Sequence, residues 1–342
     1  MDTEKLSKKI RTRFDHQQAR IVLRETYQAK MLFAHNGGMW RASPELIMLC
    51  SVCTGEVVLE DHYNTPVGVD SEQLKQLAMQ LWQEQMTVGA LLFAFDSEIK
   101  YTKLAIECAK RIQQYLDIPV SLVTDIKLET DIFDQQIIVD KPSDKNKKYH
   151  FDLGGSSAWY NFGRNCAIDH TPYDRTLLVD TDYMVNSADL LTMLECSQPF
   201  LAHKSVQEVF KNKKHIEKFG TKNTQMWWAT VIIFDKSDFS QDVFAVWKMV
   251  EKNYHHYANI FGFDPRKFRN DFALSISLLL CNGNTIPTQC DIPWPLFNVY
   301  PDIKVELIDN KWWIEHTTRR ICIEHHDLHV MGKTYLENLY AV

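Results

Sequence analysis

The sequence contains no apolar run long enough to cross a membrane and no apolar segment at its start. No stretch of roughly 18 apolar residues occurs in its 342 residues. The first residues, MDTEKLSKKIRTRF, scatter charges where a secretory signal peptide has an apolar core. We therefore expect a chain without a membrane span and with a cytoplasmic location.

The chain also lacks a basic excess and a disulfide framework. Its 44 acidic and 38 basic residues give a formal net charge of −6, so the overall charge gives no reason to expect a polyanionic partner. The eight cysteines are dispersed through apolar segments of a large chain, which favours reduced thiols. Cys50 and Cys53 form a lone CxxC without a second pair at zinc-ligand spacing, so a metal site there is disfavoured.

The length favours two domains, which we place at residues 1–87 and 88–342. The first is expected to be a mainly helical module with one short hairpin. Its expected elements are a helix over 4–33 that Asn36-Gly37-Gly38 ends, a helix near 44–53, a hairpin turning at Asn64–Pro66, and a helix over 71–86 that begins with a capping box of Asp70 and Gln73.

From Val88 onward, apolar strands alternate with amphipathic helices. This alternation predicts an α/β fold, Rossmann-like, with a mostly parallel sheet flanked by helices and with ligands beyond the carboxyl ends of the strands. The expected order is strand GALLFAF, helix TKLAIECAKRIQQYL, strand VSLVTD, strand DQQIIVD, charged loop KPSDKNKKYH, helix SSAWYNFGRNCAI, strand RTLLVDTDYMV, strand ATVIIFDKS, and helices over 241–254 and 269–282.

Two acids close one of these strands. Asp180 and Asp182 are separated by one residue at a strand end, and their charges repel unless a cation lies between them. A hard divalent ion that binds oxygen ligands and substrate phosphates would neutralise both. The same pattern also occurs as an Asx-turn or a helix cap, so the pair alone leaves both interpretations open.

A second polar cluster lies near the C-terminus, in EHHDLHVMGK. His329 would complete a mixed oxygen and nitrogen shell of the kind that Mn²⁺ accepts, and Lys333 would face a phosphate. Clustered histidines are equally common in surface loops, and for His325 and His326 the two interpretations stay open.

On these residues the chain from about Gly89 resembles the GT-A glycosyltransferase family that includes glycogenin and bacterial lipopolysaccharide galactosyltransferases. It is most similar to phage-encoded nucleotide-diphospho-sugar transferases. Four landmarks occur in the family's order: FAFDSEIKYTKLA with Tyr101, the basic Arg164 sixteen residues before Asp180, the DxD pair, and the HxxG-like segment His329-Val-Met-Gly332. Residues 1–87 resemble, more loosely, small phage proteins of uncertain role.

The resemblance implies roles for individual residues. Arg164 would offset charge on a departing diphosphate, and Asp271 would act near the transferred sugar, although a helix N-cap explains Asp271 as well. The implied metal ligands, for Mn²⁺ or Mg²⁺, are Asp180, Asp182 and His329. The expected contacts with the nucleotide sugar are Phe95, Asp96, Tyr101, Thr124, Asp125, Arg164, Asp180, Trp228, Gly332 and Lys333. Trp228 stands where the family has small polar residues, and it is included because an indole ring can stack on a sugar.

The function that follows is metal-dependent transfer of a sugar from a nucleotide-diphosphate donor, UDP by resemblance, with retention of configuration. The acceptor is open among modified DNA, a glycan and a protein. The alternative is a phage structural or attachment protein that uses the fold as a non-catalytic scaffold, with virion association. A sugar nucleotidyltransferase is disfavoured because GALLFAFDSEIK lacks a glycine-rich, lysine-containing loop.

Overall fold

The computed structural model describes residues 31–85, 87–143, 146–150, 155–160, 163–211, 213–309, 311–317 and 319–339. The chain divides into two compact units, an N-terminal unit of residues 1–86 and a C-terminal unit of residues 87–342. Each unit has its own buried apolar clusters. Within the described ranges, no helix is both long and apolar enough to span a membrane.

The N-terminal unit contains two hairpins and two helices in its described part. Ser43 caps the first helix by accepting a hydrogen bond from the Leu46 amide, and Asp70 accepts one from the Gln73 amide at the start of the second. The hairpin over 56–70 is confirmed, with Asn64 in the left-handed region at its turn. The elements are β1 (Leu32–His35), β2 (Gly38–Arg41), α1 (Pro44–Val52), β3 (Glu56–Glu60), β4 (Pro66–Asp70) and α2 (Ser71–Gln85).

The segment Asn36-Gly37-Gly38 forms a hairpin turn and not the end of a helix. Strands β1 and β2 pair antiparallel, with His35 opposite Gly38. Asn36 and Gly37 have φ values of 50° and 81°, which is the conformation that Asn-Gly adopts in a two-residue hairpin loop. The predicted helix over 4–33 is therefore wrong from Leu32 onward, and its residues 4–30 lie outside the described residues.

The C-terminal unit is built around a six-stranded sheet. Its elements are β5 (Val88–Ala94), α3 (Tyr101–Leu116), β6 (Val120–Thr124), β7 (Gln135–Ile138), β8 (Asn146–His150), β9 (Gly155–Trp159), a 3₁₀ turn (Arg164–Cys166), α4 (Ala167–His170), β10 (Arg175–Val179), β11 (Tyr183–Met184), α5 (Asp189–Leu194), β12 (Phe200–His203), β13 (Val206–Glu208), β14 (Lys218–Phe219), β15 (Thr224–Gln225), β16 (Trp228–Asp235), α6 (Asp238–Lys252), α7 (Tyr254–Phe261), α8 (Asn270–Cys281), β17 (Leu296–Val299), β18 (Lys304–Ile308), β19 (Lys311–His316), β20 (Arg319–Ile323), β21 (Leu328–Val330) and α9 (Lys333–Leu339).

The central sheet has the strand order β12-β16-β10-β5-β6-β7. Strands β10, β5, β6 and β7 run parallel, whereas β16 runs antiparallel to both β10 and β12. Strands β10 and β16 are buried along their whole length, which explains the apolar runs LLV and VIIF within them. The buried polar ends Arg175 and Asp235 lie 3.9 Å apart as an ion pair. The expected α/β fold, with a mostly parallel sheet and flanking helices, is confirmed.

A second, four-stranded sheet has the order β11-β21-β17-β13 and was not expected from the sequence.

Two local predictions for the segment between β7 and β10 were wrong. Asn146–His150 of the expected charged loop is strand β8, which pairs antiparallel with β9. The expected helix over SSAWYNFGRNCAI is strand β9 followed by the 3₁₀ turn and α4, because Gly163 adopts a left-handed conformation (φ 81°) that no continuous helix tolerates.

Gly89 in β5 lies against the ring of Tyr173. A Cβ atom at Gly89 would stand 2.4–2.5 Å from three atoms of that ring, which a hydrogen bond between Tyr173 and Ser121 holds in place. We expect Gly89→Ala to lower the free energy of unfolding of the C-terminal unit by about 1–3 kcal/mol, as overpacked cores do. Denaturant unfolding measures this change. Gly68→Ala, whose Cβ would have no neighbour within 4 Å, is the control, and an equal effect of both changes would contradict the packing argument.

Candidate active site

A cavity of about 330 Å³ opens at the carboxyl ends of β5 and β10, where ligands of doubly wound sheets bind. Its wall combines acidic, basic and aromatic side chains. The acids are Asp180, Asp182 and Asp271; the cations are Arg164, Lys267, Arg269 and Lys333; the rings are Phe93, Phe95, Tyr101, Trp159, Tyr160, Trp228 and the imidazole of His329. The expected binding edge of the sheet is therefore a concave surface with groups for charge neutralisation and for ring contacts.

Strand pairing brings His329 to the acid pair. The chain turns after β10, where the Tyr183 amide donates to the Asp180 carbonyl, and then enters β11. Strand β11 pairs antiparallel with β21, so that Tyr183 lies opposite His329, and the Val330 amide donates to the Asp182 carbonyl at 2.9 Å. Two segments far apart in the sequence are thus fixed side by side by backbone hydrogen bonds.

Asp180, Asp182 and His329 form a cluster in which one ligand atom from each residue lies within 4.8 Å of the others. The Nε2 atom of His329 is 3.7 Å from Oδ2 of Asp182. Ligands that bind one small divalent ion at about 2.1 Å from it lie roughly 3 Å apart, so small side-chain movements suffice to close around such an ion. Two carboxylates and one imidazole are donors that Mn²⁺ accepts, and the residues fit the expected ion.

Each acid of the pair also has a cationic neighbour. The Nη1 atom of Arg164 donates to Oδ1 of Asp180 at 2.5 Å, and its Nη2 atom reaches the Thr230 carbonyl at 3.4 Å. The ammonium of Lys333 contacts the Asp182 carboxylate. Burial alone lowers the pKa of Lys333, but the charge of Asp182 raises it above its ordinary value. Arg164 and Lys333 therefore offset the repulsion between the two acids.

The structure brings together only part of the expected nucleotide-sugar site. Six of the ten expected residues line the cavity: Phe95, Tyr101, Arg164, Asp180, Trp228 and Lys333. The other four are not among the lining residues: Asp96, Thr124, Asp125 and Gly332. These four have local structural surroundings of their own.

Asp96 lies in the loop before the first crossover helix, α3, whose N-cap is Lys100. The Asp96 carboxylate accepts hydrogen bonds from the amide and the hydroxyl of Thr102 at 2.9 and 3.1 Å, as a capping residue does. Thr124 and Asp125 follow at the end of the neighbouring strand β6. Lys141 connects the two positions, because its ammonium donates to the Asp96 carbonyl at 2.5 Å and lies 3.5 Å from Oδ2 of Asp125. The sequence carried no signal for Lys141 beyond its membership of a charged segment.

Gly332 is explained by packing. A Cβ atom at this position would stand 2.9 Å from a ring atom of Tyr335 and 3.5 Å from the Cα of Pro301. The absence of a side chain leaves room for the Tyr335 ring immediately before α9 begins at Lys333, whereas the distance to Pro301 is an ordinary contact. The glycine of the HxxG-like segment is therefore explained by the packing of Tyr335.

Asp271 lines the cavity in the first turn of α8, but it is not the N-cap, which is Arg269. Its Oδ1 atom accepts the Ala229 amide at 3.0 Å, and its Oδ2 atom accepts Nη2 of Arg269 at 3.0 Å. The carboxylate therefore connects the start of β16 to the start of α8. Arg269, which the sequence reasoning did not single out, holds this carboxylate beside the cavity.

Trp228 packs beside the expected metal ligand. Its ring meets the His329 ring edge-on, with 6.3 Å between centroids, and only 4 % of the residue is exposed. Its Nε1 atom is buried and has no hydrogen-bond partner among the described residues. The indole thus forms an apolar wall of the cavity and retains one unsatisfied donor.

His203 lies fully buried at the end of β12, with Nδ1 3.0 Å from the Trp294 carbonyl. Burial lowers the pKa of His203 from 6.5 to about 4. In the unfolded chain the His203 imidazole takes up a proton as the pH falls below 6.5, whereas in the folded chain it does so only near pH 4. We expect the free energy of unfolding to contain a contribution from His203 that is fully present above pH 6.5. This contribution falls by about 3 kcal/mol as the pH approaches 4, at about 1.4 kcal/mol per pKa unit.

Unfolding free energies of the wild type and of His203→Gln, measured across this pH range, test the expectation. The variant should lose this component of the pH dependence, and replacement of the exposed His255 should leave it unchanged. Equal pH dependence in wild type and His203→Gln would contradict the assignment.

No protein-family profile and no curated protein sequence matches the chain. Among solved structures it is similar to the glycosyltransferase GlyE of Streptococcus pneumoniae, at 12 % identity and a TM-score of 0.36 over 60 % of this chain and 45 % of that one. It is also similar to the galactosyltransferase LgtC in complex with donor and acceptor sugar analogues, at 11 % identity and a TM-score of 0.38 over 56 % of this chain and 70 % of that one. A third similar structure is TarS of S. aureus, at 13 % identity and a TM-score of 0.31 over 57 % of this chain and 34 % of that one. The similarity thus spans less than half of the GlyE chain.

Proposed function

We propose that the C-terminal unit is a metal-dependent glycosyltransferase of the GT-A type that uses a nucleoside diphosphate sugar, with UDP as the nucleotide. The observation that carries the proposal is the convergence of Asp180, Asp182 and His329 at one wall of a cavity beyond the carboxyl ends of parallel strands. Oxygen and imidazole donors at that edge suit a divalent ion that also binds phosphate oxygens.

In the proposed reaction the bond between the anomeric carbon and the diphosphate oxygen breaks, and a bond forms between that carbon and the oxygen of an acceptor hydroxyl. The proton of the hydroxyl passes to the departing nucleoside diphosphate. The bound Mn²⁺ or Mg²⁺ supplies charge neutralisation for the diphosphate. Arg164 fixes the orientation of Asp180 and adds positive charge beside the leaving group, and Lys333 adds a second cation from the opposite side of the acid pair. Positioned charge of this kind stabilises developing charge in the transition state.

Asp271 serves the sugar in this proposal. Its carboxylate is held by the Ala229 amide and by Arg269, so it presents a fixed negative charge to the cavity. A fixed carboxylate stabilises positive charge that develops at the anomeric centre. Trp228 contributes a rigid apolar surface against which one face of a sugar packs.

Phe95 and Tyr101 are proposed to border the nucleotide, because both line the cavity at the carboxyl end of β5. Thr124 and Asp125, at the end of the next strand, extend the same edge toward the base and ribose. By the resemblance set out above, we further propose retention of configuration, a phage origin and action in the host cytoplasm. The acceptor is a hydroxyl-bearing molecule of a class that binding experiments have to identify.

Calorimetric titration with UDP and Mn²⁺, followed by a hydrolysis screen of UDP-sugars, tests the proposal. We expect UDP to bind in the presence of Mn²⁺ and one or a few UDP-sugars to release UDP. Chelation of the metal should abolish both signals, and its restoration should recover them. A non-catalytic scaffold would give no heat with UDP and no release, and that result would contradict the proposal.

A further inference from the structure

Asn298 lies directly behind the imidazole of His329. It belongs to β17, which pairs in parallel with β21 so that Asn298 and His329 are register partners. The Oδ1 atom of Asn298 is 2.9 Å from Nδ1 of His329, and Asn298 is fully buried. The contact is therefore a buried hydrogen bond of ordinary length, on the side of the ring away from Asp182.

This contact determines which ring nitrogen carries the proton in the neutral imidazole. A carbonyl oxygen can only accept a hydrogen bond, so Nδ1 of His329 must be the donor to Asn298. The Nε2 atom then has a free lone pair, and it is the atom that faces Oδ2 of Asp182 at 3.7 Å. A metal ligand needs this tautomer, because a protonated nitrogen has no lone pair to share.

If the side-chain amide of Asn298 had the opposite orientation, the proton would lie on the other ring nitrogen of His329. The amide NH₂ group would donate to Nδ1, the proton would move to Nε2, and His329 would donate a hydrogen bond toward Asp182 where a cation is expected. Strand pairing fixes the main chain of Asn298, because β17 lies between β13 and β21 and the backbone carbonyl of Asn298 accepts the Val209 amide at 3.2 Å. The side chain is oriented with Oδ1 toward Nδ1 of His329. The orientation of the Asn298 side-chain amide thus decides whether Nε2 of His329 can bind a metal ion or instead donates a hydrogen bond.

We propose that Asn298 is a positioning residue that fixes the Nδ1-protonated tautomer of His329 and so prepares Nε2 to bind a divalent cation. The tautomer follows from the Asn298–His329 contact at 2.9 Å, which is closer than the 3.7 Å between Nε2 and the Asp182 carboxylate. The consequence for the cation rests on the proposed function. Partners of this kind, which hydrogen-bond to a ligating histidine, typically change metal affinity by 10- to 100-fold when they are removed.

Long-range ¹H–¹⁵N correlation spectra of histidine-labelled, metal-free protein at mildly alkaline pH test the tautomer directly. His329→Gln identifies the signals of His329 by their loss. We expect an unprotonated Nε2, which lies two bonds from both ring C–H protons and correlates with each of them. A protonated Nε2 in the wild type would overturn the proposal without any reference to metal or to activity.

Two variants then test the consequence for the cation. Asn298→Leu removes the acceptor, and we expect it to lower Mn²⁺ affinity in the presence of UDP by about 10- to 100-fold. Asn298→Asp keeps an acceptor for Nδ1–H and should restore affinity to within a few fold of the wild type. Near-ultraviolet circular dichroism checks that both variants are folded.

The outcomes separate the two proposals. If the wild type shows the expected tautomer but binds no Mn²⁺ with UDP, the proposed function fails and the positioning of the ring stands. If the wild type binds Mn²⁺ and folded Asn298→Leu binds it equally well, the positioning role fails and the proposed function stands. If Asn298→Leu does not fold, the wild-type spectrum and Asn298→Asp decide the question, because loss of affinity in folded Asn298→Asp would also overturn the positioning role.

Discussion

Replacing Asp182 with asparagine is expected to reduce donor turnover on the order of 10³-fold and to remove measurable Mn²⁺ binding in the presence of UDP. The carboxylate is one of three proposed ligands and is almost fully buried, so no water-exposed group replaces it. Loss of a metal that stabilises transition-state charge by several kcal/mol corresponds to a rate loss of this size. Calorimetry and UDP release from donor sugars measure the two effects.

The same change also affects stability, because it leaves the buried ammonium of Lys333 without its carboxylate. Removal of one partner of a buried ion pair costs about 3–5 kcal/mol. The double change Asp182→Asn with Lys333→Met removes the uncompensated charge and should recover part of this loss, while Mn²⁺ binding stays absent. His329→Gln keeps the Asp182–Lys333 pair and should still lose Mn²⁺ binding. Normal turnover in folded Asp182→Asn would contradict the metal role.

Replacing Arg164 with methionine is expected to lower turnover on the order of 10²-fold. Its guanidinium makes a charge-assisted hydrogen bond to Asp180, and bonds of this kind contribute about 1.5–3 kcal/mol. Without it, Asp180 loses its fixed orientation and the cavity loses a positive charge beside the proposed diphosphate. We expect weaker Mn²⁺–UDP binding together with slower turnover.

Arg266→Met is the matched control for this change. Arg266 pairs with Asp264 on the surface, with 87 % of its side chain exposed, and it does not line the cavity. Surface ion pairs of this kind contribute little, so the control should keep wild-type turnover. Equal losses in both arginine variants would show that Arg164 acts only through general charge or stability.

The sequence predicted five of the six strands of the central sheet and missed β12. Strands β10 and β16 are buried along their whole length, and each contains an uninterrupted apolar run, LLV in β10 and VIIF in β16. Helix α3 presents a periodic apolar face to the same core. Hydrophobic pattern alone sufficed to identify these elements and the edge of the sheet at which the cavity opens.

The errors arose where a turn or a short strand decides the structure. Asn36 and Gly37 have the positive φ values of a hairpin loop, but the periodic residues before them also fit a helix. Gly163 stops a helix that the residues around it would otherwise favour. Strands β17 and β21 have only four and three residues, too few for a periodic pattern to stand out.

The candidate site could be predicted only in part, because short strands without a periodic pattern bring its residues together. The resemblance to the GT-A family implied that Asp180, Asp182 and His329 form one cluster, and the pairing of β11 with β21 brings these residues together. Asn298 had no signal, because an asparagine within the short strand LFNV differs in no way from a structural residue. Its relation to His329 exists only through the parallel register of β17 and β21.

Anomalous diffraction from crystals grown with Mn²⁺ and UDP locates the metal that the proposed reaction requires. We expect one strong manganese peak beside Asp180, Asp182 and Nε2 of His329, within bonding distance of the diphosphate oxygens of UDP. A manganese peak elsewhere, or UDP bound in the cavity with no metal beside these three residues, would contradict this expectation.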